Sequence, residues 1–272
     1  MVNEDEQIYI HQNDYADRLT PIQLSRERAM ERNSQLTTSE VDLLRSKVGQ
    51  LLWIAHQSRP DILFDACNLA ASINNGKVQD ILDANKVIRR LKSDGIPLKF
   101  QHLGDGKLSL VVFSDASLGN LPDGGSQGGH LVFLVGETGK FSLINWNSKK
   151  LRRVVRSTLA GETLAMADGI NEAIFISTLC SELTSGKPDT NMLPLVCITD
   201  CKSLYEAVKS TKLVTEKRLR IEISGIKELI DSRQVKKFLW SESKKQLADC
   251  LTKKGASPLM LMKILEEGIL NI

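Results

Sequence analysis

The apolar positions of this chain change their period twice along its 272 residues. Ile8-Tyr9-Ile10-His11-Gln12 reads as a short strand, and Asp14 to Leu19 as a helical segment that stops at Pro21. A polar, poorly periodic stretch follows. From Thr38 onward Val41, Leu44, Val48, Leu51, Leu52 and Ala55 recur at helical spacing, with Thr38 or Ser39 placed to cap the helix. Ser58-Arg59-Pro60-Asp61 breaks it. A second helix is predicted over Asp61 to Ile73, with Ile62, Ala66, Leu69 and Ile73 on one side. A third covers Gln79 to Ser93, with Ile81, Ala84, Val87, Ile88 and Leu91 inward. Residues 40–93 are therefore expected to form a small helical bundle.

Gly95-Ile96-Pro97 and Gly104-Asp105-Gly106 punctuate the chain, and beyond them the apolar runs shorten to strand length. Leu108 to Ser114, His130 to Val135 and Phe141 to Asn147 are joined by Gly-rich turns, as an antiparallel meander would be. A long helix is predicted from Ser157 to about Leu183, then strand 195–199, helices 202–209 and 216–232, strand 235–240, a helix starting near Lys244, and a last helix from Pro258 to Ile269. This order predicts an α/β fold: a five-stranded mixed sheet flanked by helices and preceded by a small helical segment.

Two of the strands end in aspartate. Asp115 follows Leu110-Val111-Val112-Phe113, and Asp200 follows Leu195-Val196-Cys197-Ile198. An aspartate at the end of an apolar strand is costly to bury unless it binds something. Glu162 falls in the first turns of the long helix, where a carboxylate suits the helix dipole and, taken alone, reads as an ordinary capping-turn glutamate. Asp249 falls among apolar neighbours in a predicted helix, where aspartate has poor propensity and either a function or a salt bridge must account for it. Together Asp115, Glu162, Asp200 and Asp249 suggest a nuclease with two Mg²⁺ ions, because carboxylate oxygens suffice to hold such ions about 3.5 to 4 Å apart. The four histidines, His11, His56, His102 and His130, form no metal-spaced cluster, which argues against zinc.

Charge divides the chain. Residues 107–255 carry 22 Lys and Arg against 16 Asp and Glu, whereas residues 1–106 carry 13 against 15. The basic residues concentrate in Lys149-Lys150-Leu151-Arg152-Arg153-Val154-Val155-Arg156, in Lys209 to Arg220 and in Arg233 to Lys245. Such clusters suit a polyanion, although any one of them is equally a solvated face. A hydrophobic content of 42% supports folded cores. Apolar runs such as Leu51-Leu52-Trp53-Ile54-Ala55 are too short to span a bilayer, so no membrane partner is expected. Met1 to Gln7 lacks the apolar core of a signal peptide. Five scattered cysteines without a Cys-x-x-Cys pair fit buried apolar roles in a reducing, intracellular setting.

The ordered motifs resemble a known family. Arg45-Ser46-Lys47-Val48-Gly49-Gln50-Leu51-Leu52-Trp53-Ile54-Ala55, Ser58-Arg59-Pro60-Asp61-Ile62 and Phe113-Ser114-Asp115-Ala116-Ser117 are similar to stretches of the Pol polyprotein of copia-type LTR retrotransposons. So are Trp146-Asn147-Ser148-Lys149-Lys150, Ser157-Thr158-Leu159-Ala160-Gly161-Glu162 and Ala248-Asp249-Cys250-Leu251-Thr252-Lys253-Lys254-Gly255. The resemblance runs from about Ile8 to Gly255. It implies a ribonuclease H-like domain over 107–255 that cuts the RNA strand of RNA–DNA hybrids in a metal-dependent, endonucleolytic reaction. Asp115, Glu162, Asp200 and Asp249 match the family's metal-binding acids. Residues 1–100 would be the truncated C-terminal, thumb- or connection-like helical segment of the reverse transcriptase, and 256–272 a C-terminal helix.

The chain has no Asp-Asp dipeptide, and Tyr15-Ala16-Asp17-Arg18 replaces the second acid with arginine, so no polymerase activity is expected. Ser241-Glu242-Ser243-Lys244-Lys245 lacks the histidine that cellular ribonucleases H carry before the last acid. An RNA–DNA hybrid would be read through phosphate and 2′-OH contacts. Lys149, Lys150, Arg152, Arg153 and Arg156, which lead into the Glu162 helix, are the first choice for those contacts. Ser117 and Ser203 would add hydroxyls, or are simple turn and cap residues. Two metal ions, Mg²⁺ with Mn²⁺ as substitute, are the implied cofactors. Further expected partners are the remainder of a reverse transcriptase or a second copy of the chain, since the bundle face with Leu51, Trp53 and Ile54 would be open without one. The implied location is cytoplasmic, in a virus-like particle if the element is active, or nuclear. The alternative reading is a catalytically silent, transposon-derived module that binds nucleic acid or another protein.

Overall fold

The computed structural model describes residues 7–93, 95–121, 123–212, 214 and 216–271. The first six residues of the expected 1–100 segment, and so most of the Met1–Gln7 stretch, lie outside the described residues. The chain divides into two compact units, Tyr9–Leu98 and Lys99–Ile272, the second also taking in the residues up to Ile8. Short strands β1 (Ile8–Ile10) and β2 (Leu98–Phe100) stand where the chain passes between them.

The Tyr9–Leu98 unit is built from helices: α1 (Asn13–Arg18), α2 (Arg26–Met30), α3 (Thr38–Gln57), α4 (Leu63–Ser72) and α5 (Val78–Ser93). The cap of α3 is Thr37, one residue before the predicted position. Its hydroxyl accepts from the Glu40 amide while the Glu40 carboxylate accepts from the Thr37 amide, a reciprocal box that satisfies two otherwise orphaned donors. Leu44, Val48, Leu51 and Ile54 of α3 are buried together with Ile81, Ala84, Ile88 and Leu91 of α5. Of the face expected to be open, Leu51 and Ile54 thus point into the bundle and Trp53 alone, 55% exposed, faces solvent. A helix turns by 100° per residue, so a run of adjacent apolar residues cannot share one face. Two of the buried polar side chains tie the unit together. Asn85 bonds both the amide and the carbonyl of Ile22, and Arg59 grips Asp61 and the Leu91 carbonyl.

In the Lys99–Ile272 unit, strands β3 (Ser109–Ser117), β4 (Gln127–Val135), β5 (Phe141–Lys150), β6 (Leu195–Thr199) and β7 (Val235–Trp240) form one sheet in the order β5-β4-β3-β6-β7. β3, β4 and β5 are antiparallel neighbours, whereas β6 and β7 join in parallel. β3 is central, and residues 110–116 are buried along their whole length. Its alternate residues Leu110 and Val112 pack against Met166, Ile170 and Ala173 of α6 (Thr158–Ser185) and near α7 (Lys202–Lys209) and α8 (Lys217–Asp231). Phe113 meets Phe133 edge to face at 5.8 Å, and Phe133 meets Phe141 at 5.1 Å. The C-terminal α9 (Leu259–Glu267) belongs to the same unit, where Leu270 donates to the Gly139 carbonyl.

This is the α/β fold, a five-stranded mixed sheet flanked by helices, that the sequence led one to expect. The helix expected near Lys244 is instead two 3-10 turns, Ser243–Lys245 and Leu247–Leu251. A close approach holds the second turn in place. A Cβ added at Gly129 of β4 would lie 2.7 Å from Leu251 Cβ, so only glycine lets the turn sit this near the strand.

Candidate metal and nucleic-acid site

The register of β3 with β6 brings the first two acids together. Leu110 to Phe113 pair in parallel with Leu195 to Ile198, and two residues further along each strand stand Asp115 and Asp200. Asp249 comes from the 3-10 turn, not from the middle of an α-helix as expected, so its poor helix propensity is of no account there. Gln246 anchors that turn, its side chain accepting from the Ala248 amide and donating to the Ser114 carbonyl at 2.9 Å. Asn120 and Ser148 hold it as well, through the Thr252 and Leu251 carbonyls. As a result Asp115, Asp200 and Asp249 each offer a carboxylate oxygen within 4.8 Å of the others.

Glu162 stands outside that closest group yet faces it. It rises from the first turns of α6, which Ser157 caps, and its Oε1 accepts from the Ala116 amide, next to Asp115 in the chain, at 3.3 Å. Its Oε2 is buried with no hydrogen-bond partner among the described residues. Burial, reinforced by the Asp115 and Asp200 carboxylates, pushes Glu162 up to about 9. Asp115 is raised too, by burial above all, against the pull of Lys253 and Thr252. Burial and like charge thus favour the protonated forms of Glu162 and Asp115 until a cation offsets them. An orphaned buried oxygen and an all-oxygen donor set suit a hard divalent cation such as Mg²⁺.

Two residues that sequence reasoning passed over complete the site. Thr252 donates its hydroxyl to Asp115 Oδ2. Lys253 sets its ammonium 2.6 Å from Asp249 Oδ1 and 3.3 Å from Asp115 Oδ1. Partial burial works against its charge, yet the two aspartates hold the ammonium above the ordinary lysine range. The spacing of Asp249 and Lys253, four residues apart, was the only signal in the chain for this contact.

The expected nucleic-acid contacts are arranged differently. Lys149 pairs with Asp168 at 3.0 Å, Lys150 with Asp123 and Arg153 with Glu222. Arg152 and Arg156 are exposed and carry no ion pair among the described residues. The segment borders a groove of about 440 Å³ that Leu164 and Asn171 of α6 also line. Ser117 ends β3, two residues past Asp115. Ser203 lies in the first turn of α7, with its hydroxyl 3.2 Å from Cys201 Sγ. Among the described residues no helix is long and apolar enough to cross a membrane.

No protein-family profile matches the chain. Among curated proteins, a putative transposon Ty5-1 protein of Saccharomyces cerevisiae is 33% identical over 113 residues, which cover 41% of this chain and 34% of that protein. The retrovirus-related Pol polyprotein from transposon RE1 of Arabidopsis thaliana is 29% identical over 211 residues, 77% of this chain and 14% of that protein. The chain thus spans about a third of the first relative and a seventh of the second. Solved structures similar to it include an N-terminal RNase H domain from Mycobacterium tuberculosis, at 14% identity and a TM-score of 0.38, covering 59% of this chain and 98% of that one. LC11-RNase H1 in complex with an RNA/DNA hybrid is 15% identical with a TM-score of 0.38, covering 53% and 94%. In sequence, then, the chain is similar to a Ty5 transposon protein and to retrotransposon Pol polyproteins, the resemblance that its ordered motifs carry.

Proposed function

We propose that residues 107–255 are a ribonuclease H domain that hydrolyses the RNA strand of RNA–DNA hybrids, with Asp115, Glu162, Asp200 and Asp249 as ligands of Mg²⁺ or Mn²⁺. The observation that carries this reading is the convergence of four acids from β3, α6, the end of β6 and a 3-10 turn, one of them with a buried oxygen left unpartnered. Divalent ions held there would activate water and stabilise the oxygen that leaves the scissile phosphodiester. The protein's own contribution is positional. Thr252 and Gln246 fix Asp115 and the Asp249 turn, and the Ala116 amide fixes Glu162. Arg152 and Arg156 are the cations best placed to take up substrate phosphates, because Lys149, Lys150 and Arg153 are already engaged. In the same reading the Tyr9–Leu98 bundle belongs to the end of a reverse transcriptase, α9 (Leu259–Glu267) is a C-terminal helix beyond the nuclease domain, and the protein acts inside the cell.

Purified protein in Mg²⁺ is expected to cut the RNA of an end-labelled hybrid and to leave single-stranded RNA intact. Asp115→Asn is expected to bring cutting below detection while the protein still binds the hybrid. Undiminished cutting by that variant would sink the assignment. Hybrid binding without cleavage by the parent protein, in Mg²⁺ and in Mn²⁺, would favour the silent binding module instead.

A further inference from the structure

We propose that Lys253 is the built-in counter-cation of the acid site, which holds the aspartates together before metal arrives and must leave them when metal binds. The proposal rests on the metal-site reading above and concerns what holds the acids together before a divalent ion binds. Asp115 has a side chain only 2% exposed, so water cannot screen it. Its compensation comes from the Thr252 hydroxyl and the Lys253 ammonium. The same ammonium bonds Asp249, so one cation bridges two of the three close aspartates, at 3.3 and 2.6 Å. A carboxylate whose partner is removed while it stays buried destabilises the fold.

The ammonium and a divalent ion compete for the same oxygens. A cation that contacts Asp115 and Asp249 cannot stay in place while both donate their oxygens to metal, because like charges repel and the donor positions are shared. Lys253 has a way out. Its side chain is 40% exposed and four carbons long, so the head can swing to solvent while the stem stays put. Metal binding is then an exchange in which ammonium departs as the divalent ion enters, and the observed affinity is the intrinsic one weakened by the strength of the lysine pairs. In the absence of metal the same pairs keep the acid turn closed over β4.

The test compares the parent with Lys253→Met, which keeps length and removes charge, and Lys253→Arg, which keeps charge. Melting in EDTA and Mg²⁺ titration by calorimetry are read on the full chain. Lys253→Met should melt lower in EDTA by roughly 5–10 °C. Its Mg²⁺ affinity should rise by about 10-fold, and saturating Mg²⁺ should restore the parent's melting temperature. Lys253→Arg should stay close to the parent in EDTA. Equal melting and equal affinity in the parent and Lys253→Met, or weaker Mg²⁺ binding in that variant, would overturn the proposal while leaving the metal site standing. Should no protein bind Mg²⁺, the metal-site reading itself falls and this inference with it. If Lys253→Met does not fold without metal, the parent answers alone through the ¹⁵N resonance of the Lys253 ammonium. A slowly exchanging signal in EDTA that is lost on adding Mg²⁺ supports the exchange, and a signal unchanged by Mg²⁺ refutes it.

Discussion

The acid site and the basic segment are both dense in charge, and the fold treats them in opposite ways. The acids are far apart in sequence, at 115, 162, 200 and 249, and are brought together by strand register, one helix and one turn anchored by buried hydrogen bonds. The basic residues are contiguous, at 149–156, and lie on the surface, where Asp168, Asp123 and Glu222 already engage three of the five. Surface pairs of that kind contribute between nothing and about 1 kcal/mol. Clustering in sequence is therefore weak evidence of a site, and convergence from separate elements is strong evidence, because the second has to be built against the cost of burying charge. The comparison also assigns different tasks. Under the proposed function the acids would carry the chemistry and the basic segment the affinity.

The largest expected effect separates stability from activity inside the acid site. Glu162 is buried beside two other carboxylates, and its Oε2 has no partner. Glu162→Gln replaces a carboxyl whose ionised form burial disfavours with a neutral amide of the same shape, so the melting temperature in EDTA is expected to stay level or rise. Cleavage in Mg²⁺ is expected to fall by at least about 1,000-fold, equal to about 4 kcal/mol of transition-state stabilisation. A variant that melts well below the parent in EDTA would show that Glu162 is a structural residue, and the contrast with the basic segment would lose its sharpest point.

His130 tests whether burial alone makes a group part of the site. It lies in β4, where its Cβ meets the place a Cβ on Gly169 of α6 would occupy, with Nε2 3.3 Å from Asn145 Oδ1. Burial lowers its pKa from 6.5 to about 4, against the smaller upward pull of Asn145 and Asp168. Between those values the unfolded chain binds a proton that the folded chain refuses. This contribution is therefore whole above about pH 6.5 and is lost as pH falls towards 4, by about 3 kcal/mol in all. Urea unfolding of the parent and of His130→Phe at pH 7 and pH 4.5 checks it. The variant should lose about 2 to 3 kcal/mol less over that interval, while cleavage at neutral pH should change by less than about 3-fold. A collapse of cleavage in His130→Phe would extend the functional site to this face of the sheet.

Most of the sheet was legible because its signals are local. Apolar runs such as Leu195 to Ile198 are short, bounded and buried on both faces, and strand 195–199 falls where its pattern puts it. The strands came out longer than predicted where polar ends continue the pairing, as in Ser148, Lys149 and Lys150 of β5. α2 was not legible, since its five residues include no buried one and so leave no periodicity to read. The Asp249 turn was misread because Leu247, Ala248 and Leu251 satisfy a helical spacing and a 3-10 turn alike. Thr252, and Lys253 beyond its four-residue spacing from Asp249, were not legible for a different reason. Their role is set by partners at Asp115, more than 130 positions away, and a Lys-Lys pair in sequence looks the same whether it faces water or a carboxylate.

The smallest expected effect belongs to the basic segment, and it is the one that decides whether affinity is located there. Arg152 and Arg156 are exposed, Arg152 on the groove under α6 and Arg156 on a neighbouring one that Leu164 also lines, and neither supports the fold through an ion pair among the described residues. The double change Arg152→Ala with Arg156→Ala should therefore shift the melting temperature by less than about 2 °C, since it alters stability by well under 1 kcal/mol. Hybrid binding, followed by fluorescence anisotropy between 50 and 200 mM salt, should weaken, with the slope of log K against log salt reduced by about 1 to 2. Lys150→Ala is the control: its cation is already held by Asp123, so its slope should stay within about 0.5 of the parent's. An unchanged slope in the double variant would mean that phosphates are held elsewhere, with Lys209 to Arg220 or Arg233 to Lys245 next in line. An equal loss in Lys150→Ala would mean that surface pairing does not withdraw a lysine from the substrate, and the rule drawn from the comparison would fail for cations while holding for the acids.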